Sequence, residues 1–143
     1  MPAKSILPCA FLFLAFLPLQ LAAQQTDAAG FETFEYQEGD TTYVMKKYFL
    51  CLLKTGPNRE GTEEEVAEIQ RQHLAHLETL ARAGKICMVG PMGDDGDLRG
   101  IVVFNTPTLE DALELAHQDP AVKAGRLSVE IHPWWAAVGS RLF

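Results

Sequence analysis

Basic residues are in short supply: 12 Lys+Arg stand against 19 Asp+Glu, a formal net charge of −7. Such a chain has no electrostatic footprint for a phosphate backbone and is repelled by anionic lipid, so nucleic acid and membrane surfaces drop out as partners. Cysteine is equally sparse. Cys9, Cys51 and Cys87 are too few for a disulfide framework and lack the paired spacing of a zinc site. There is no glycine-rich phosphate loop and no haem-attachment motif, so no organic cofactor is expected, and no complete set of metal ligands is marked. Internal repeats and low-complexity tracts are missing as well. What is there is 143 residues with 48% hydrophobic and 22% charged side chains, the composition of one compact domain.

The N-terminus stands apart. Residues 1–23 open with Lys4, run apolar from Ile6 to Leu17 with Pro8 the one break, and close on Leu21-Ala22-Ala23. A basic start, an apolar middle and a small-residue exit describe a secretory signal peptide. Pro8, Pro18 and Gln20 interrupt the segment, against the roughly 20 mostly apolar residues that a membrane span needs. Cys9 lies inside the apolar run, where it does not mark a lipid anchor. Cleavage after Ala23 would give a periplasmic or extracellular protein starting near Gln24, with no membrane attachment after cleavage.

Residues 24–45 read as an N-terminal extension. Phe31–Tyr36 and Thr41–Val44 have strand-like patterns on either side of Glu38-Gly39-Asp40, a hairpin signature. The main domain is expected over 46–136, with 137–143 as a tail. Lys46–Lys54 is a strand with an unbroken apolar run, ended by Gly56-Pro57-Asn58. Thr62 followed by Glu63, Glu64 and Glu65 is a capping-box start, and the helix runs to about Ala83 before Gly84. Ile86–Val89 and Ile101–Phe104 are strands joined by the turn-rich segment 90–100. Pro107-Thr108 opens a second helix, with Leu109, Ala112, Leu113 and Ala116 on one stripe, and Asp119-Pro120 stops it. Leu127–His132 is a last strand, and Pro133-Trp134-Trp135 begins the tail. The order βαββαβ predicts an α+β, ferredoxin-like fold with an antiparallel sheet.

Two helices cover one face of such a sheet, yet both faces of its strands are apolar: Tyr48, Leu50 and Leu52 alternate with Phe49, Cys51 and Leu53. An exposed apolar face of that extent is uncommon on a monomer. The economical cover is a second copy of the chain, a homodimer. The rival cover is the N-terminal hairpin together with the Trp134/Trp135 tail.

At about 100° per residue from Val66, His73 falls at about 340° on the first helix, in the apolar stripe, with His76 on its margin. Three readings stand side by side. His73 is a core histidine satisfied by one hydrogen bond, or a general acid or base, or half of a His73/His76 metal pair whose other ligands are unmarked. Asp94, Asp95 and Asp97 lie in a turn that lacks the alternating ligands of a calcium loop. One of these acids could orient an imidazole; Asp119-Pro120 is most simply a helix stop, and His117 and His132 carry no distinguishing context. Cys51 and Cys87 are expected on strands separated by a third. That is roughly 9.6 Å, too far for a disulfide, so both should be free thiols.

His73-Leu74-Ala75-His76-Leu77, Ala83-Gly84-Lys85-Ile86, Gly90-Pro91-Met92 with Asp94-Asp95-Gly96, and Asp119-Pro120-Ala121-Val122-Lys123-Ala124-Gly125 leading to Pro133-Trp134 together resemble the YciI-like (YCII-related) family. The resemblance spans about residues 46–136 and implies a dimeric α+β barrel. It also implies a histidine on the first helix, matched by His73, paired with an aspartate after the glycine-proline turn, for which Asp94 and Asp95 are the candidates. One activity in the resembling proteins is dehydrochlorination of a chlorinated hydroxyhydroquinone, and related barrels include lactone isomerases and oxygenases. The export signal and the segment 24–44 depart from that pattern. Two functions follow: a small-molecule lyase or isomerase using His73 for proton transfer, or a non-catalytic domain that holds an apolar or aromatic ligand with His73 as polar anchor.

Overall fold

The computed structural model describes residues 23–143. All of the expected signal segment but Ala23 lies outside them. The elements are β1 (Gln25–Thr26), β2 (Glu32–Glu38), β3 (Thr41–Thr55), α1 (Glu63–Arg82), β4 (Ile86–Pro91), β5 (Leu98–Phe104), α2 (Leu109–His117), α3 (Pro120–Lys123) and β6 (Leu127–Ala137). From β3 onward this is the expected strand–helix alternation, with the short α3 added where a stop was expected.

All pairings are antiparallel. β3 is central: β6 lies along it from Met45 to Thr55, and β5 pairs Phe49–Lys54 on its other edge. β4 is outside β5, so the core order is β6-β3-β5-β4, the ferredoxin-like arrangement. β2 pairs Thr41–Lys46, and because β6 already occupies one edge at Met45 and Lys46, β2 must continue the β5 edge in line with it.

Two strand boundaries differ from the sequence reading. The expected hairpin forms at Gly39-Asp40, with Glu38 opposite Thr41, but its second arm is one uninterrupted strand with the core strand. β6 likewise runs through Pro133 to Ala137. Proline normally ends a strand, but β6 has β3 as its one partner among the described residues, and an edge strand tolerates a missing N–H on its unpaired side. The two tryptophans are therefore part of the sheet. Trp135 meets Phe34 edge-on with ring centroids 4.9 Å apart, and Trp134 lies 6.4 Å from Tyr48. Hairpin and tail extend the sheet instead of folding over its free face.

The core lies between sheet and helices. Phe49, Cys51 and Leu53 of β3, Val102 and Phe104 of β5 and Ile86 of β4 meet Leu77 and Leu80 of α1 and Ala112 and Ala116 of α2. Burying each large side chain contributes about 1.5–3 kcal/mol. On the opposite face by strand alternation, Leu50, Leu52 and Ile101 are only half-buried, while Val103 between its neighbours is buried.

α1 begins as its sequence dictates. The Thr62 hydroxyl accepts from the Glu65 amide, and the Glu65 carboxylate accepts from the Thr62 amide at 2.8 Å, satisfying two donors that a helix start leaves orphaned. At its end Gly84 N–H reaches the Ala81 carbonyl and Lys85 N–H the Leu80 carbonyl, a Schellman closure.

Candidate active site

His73 projects from the middle of α1 into the core side and is 7% exposed. Its Nδ1 is 2.7 Å from Oδ2 of Asp119, itself 3% exposed. The second oxygen of Asp119, Oδ1, accepts from the Ala121 amide at 2.8 Å, capping α3. Asp119 therefore does stop α2 and start a new turn, as its position before Pro120 suggests, and it spends its other oxygen on the histidine.

This corrects the expected pairing. Asp94 and Asp95 are exposed. Asp94 accepts from the Gly96 amide at 3.2 Å within its own turn, and neither residue lines the pocket beside His73. A short polar turn satisfies its carboxylates locally and in water, whereas Asp119 is carried to α1 by α3. Nor do His73 and His76 converge: His76 Nε2 lies 3.1 Å from the Leu115 carbonyl, tying α1 to α2. His132 contacts Glu130 at 2.8 Å and is exposed. Cys51 and Cys87 are both unbridged, as the strand order requires.

An ionised carboxylate is an acceptor only. In the neutral ring, the contact of such an acceptor with Nδ1 puts the proton on Nδ1 and leaves the lone pair on Nε2. Nε2 has no partner within the described chain, and among the described residues no fully buried side-chain polar atom is left without one. Nε2 is therefore not fully buried, and His73 is one of the residues that line a pocket. That pocket has a volume of about 630 Å³, the size of a small-molecule site. Its apolar wall includes Leu53, Ile69, Leu77, Val89 and Leu127. Beneath the dyad, burial pushes the Cys51 thiol up to about 12, with the Asp119 carboxylate adding to the effect, so Cys51 is no nucleophile.

Three residues that sequence reading did not single out complete the lining: Arg59, Arg99 and Arg126. They stand in no recognisable motif, and the fold alone gathers them. Leu98 pairs with Lys54 and Leu127 with Thr55, so the starts of β5 and β6 and the end of β3 share one end of the sheet. There Gly56 approaches the backbone of Gly125 and Arg126 so closely that a Cβ on Gly56 would overlap the Gly125 carbonyl. Gly125 closes α3 at φ +70, a conformation that favours glycine, and delivers Arg126 to the pocket.

A ferredoxin-like α+β domain with a buried His–Asp pair at an apolar pocket is the class that fold and site define. The description of the YCII-related domain matches residues 47–135, and the chain belongs to that family. Among solved structures it is similar to the 5-chloro-2-hydroxyhydroquinone dehydrochlorinase TftG of Burkholderia phenoliruptrix, determined in complex with 2,5-dihydroxybenzoquinone. The two are 26% identical over 61% of this chain and 92% of that one, with a TM-score of 0.47, too low to carry chemistry across. A search of curated proteins finds no match.

Proposed function

We propose that the chain is an exported, cofactor-independent lyase or isomerase of a small organic molecule, with His73 as proton-transfer group and Asp119 as the residue that positions it. The observation that carries this reading is the asymmetry of His73: one ring nitrogen is held by a buried carboxylate at 2.7 Å, and the other has no partner among the described residues on a side chain that lines a pocket. That is the arrangement general base catalysis needs. Nε2 takes a proton from a carbon or hydroxyl of the substrate. The electron pair left behind moves within the substrate, either to a new double bond with expulsion of a leaving group or to an isomeric position that takes the proton back. Asp119 opposes the imidazolium charge formed in between.

Family membership supports a small-molecule role. The half-buried apolar residues Leu50, Leu52 and Ile101 on the sheet face away from the helices support a homodimer packed on that face. The test is a native mass spectrometry screen of metabolites against the mature protein, followed by turnover of each hit by wild type and by His73→Ala. Turnover that falls 10²–10⁴-fold in the variant is the expected result. Binding without turnover in the wild type would overturn the enzyme reading in favour of a ligand-holding domain.

A further inference from the structure

We propose that the substrate is a small organic acid, an anionic group on an apolar body, and that Arg59, Arg99 and Arg126 hold its charge at the outer part of the pocket. This deepens the reading of His73 as proton-transfer group and rests on it.

Three guanidinium groups lining one pocket are conspicuous in a chain of net charge −7. Among the described residues, the ion pairs within 4.0 Å involve Arg71 and Arg82 but none of these three. Each instead makes one side-chain hydrogen bond to a backbone carbonyl: Arg59 to Arg126 at 3.1 Å, Arg126 to Glu60 at 3.1 Å, and Arg99 to Gly96 at 3.0 Å. A guanidinium has five N–H donors, so these bonds fix the side chains and leave most donors free. Three carboxylates of α1 have partners of their own. Glu78, which also lines the pocket, is paired with Arg82 at 2.5 Å. Glu68 is held by Arg71 at 2.6 Å, and Glu65 closes the helix cap.

The placement gives the pocket a direction. Arg59 and Arg99 are exposed and Arg126 half-buried, while His73 is buried. The arginines belong to the loop after β3 and to the starts of β5 and β6, all at one end of the sheet. Leu53, Ile69, Leu77 and Leu127 provide apolar wall in between. An anion bound at that end leaves its apolar portion to extend inward toward Nε2. Guanidinium is also the cation best shaped for a carboxylate, through paired hydrogen bonds.

The experiment compares benzoate with benzamide, matched in shape and differing in charge, by titration into the 15N-labelled mature protein with NMR detection. Benzoate should shift pocket resonances and bind at least about tenfold more tightly than benzamide, the factor expected for charge-assisted over neutral hydrogen bonds. Arg126→Gln and Arg99→Gln should each reduce that preference. Arg99→Gln guards against loss of fold, since its side chain bonds only the Gly96 carbonyl of its own turn. Equal binding of the two probes, or an unchanged preference in both variants, overturns the proposal. Neutral substrates turned over in a His73-dependent way would sink the anion site and leave the proton-transfer reading intact. Acid-selective binding without any turnover would do the reverse.

Discussion

Asp119 divides its two carboxylate oxygens between two elements, Oδ2 to His73 Nδ1 at 2.7 Å and Oδ1 to the Ala121 amide at 2.8 Å. One side chain thus caps α3 and sets the tautomer of a histidine 46 residues earlier in the chain.

Asp119→Asn separates these two tasks. An asparagine Oδ1 still caps α3, so the variant should fold with a melting temperature within a few degrees of wild type. Its NH2 group, however, donates to Nδ1 and drives the ring proton to Nε2, which then cannot accept one. Turnover of any substrate found for the wild type should fall about 10²–10⁴-fold. Asp119→Ala loses the cap as well, costing a further ~1 kcal/mol of stability in denaturant unfolding.

Gly56→Ala should damage the pocket from a distance. The added methyl would overlap the Gly125 carbonyl and breaks the approach that lets the Gly56 amide donate to the Arg126 carbonyl at 2.9 Å. A loss of about 1–3 kcal/mol is expected, as for other overpacked sites, together with shifts in the NMR signals of Arg59 and Arg126. An unperturbed spectrum would show that this contact does not hold the arginines.

Cys51 makes a signed prediction about pH. It is 0% exposed, and burial pushes its thiol from the ordinary 9.0 to about 12. Between those values the unfolded chain loses a proton that the folded chain keeps, so the unfolded state binds fewer protons and stability falls as pH rises. Three pKa units correspond to a loss of up to about 4 kcal/mol over that window. Cys51→Ala should flatten this part of the stability–pH curve, and in the native wild type a thiol reagent should leave Cys51 unmodified until the protein unfolds.

The proposed dimer predicts a light-scattering mass of two chains at micromolar concentration, and Leu52→Lys on the sheet face away from the helices should halve it without changing the far-UV circular dichroism. A one-chain mass for the wild type would contradict the dimer.

Much of this architecture is written locally. Thr62 and Gly84 bound α1 by capping chemistry that acts over four residues, and short unbroken apolar runs in β3 and β5 mark strands whichever way they pair. His73 could be placed on the sheet side from helical periodicity alone. Its partner could not, because Asp119 before Pro120 is fully accounted for by its own neighbourhood, and nothing local hints at a second bond across 46 residues. Proximity to the glycine-proline turn made Asp94 and Asp95 attractive, but exposed turn carboxylates are satisfied by the turn and by water. Pro133 is ambiguous for a related reason: whether proline ends a strand depends on whether that edge has a neighbour, which is tertiary information. The three arginines are legible only once the strands are in register.

A buried carboxylate that fixes Nδ1 should leave His73 with one basic nitrogen at the pocket. Long-range 1H–15N NMR of the imidazole rings, assigned with His73→Gln, reads this directly once the ring is neutral. A proton on Nδ1 and an unprotonated Nε2 are expected, with the two exchanged in Asp119→Asn. A neutral His73 carrying its proton on Nε2 in the wild type would contradict it.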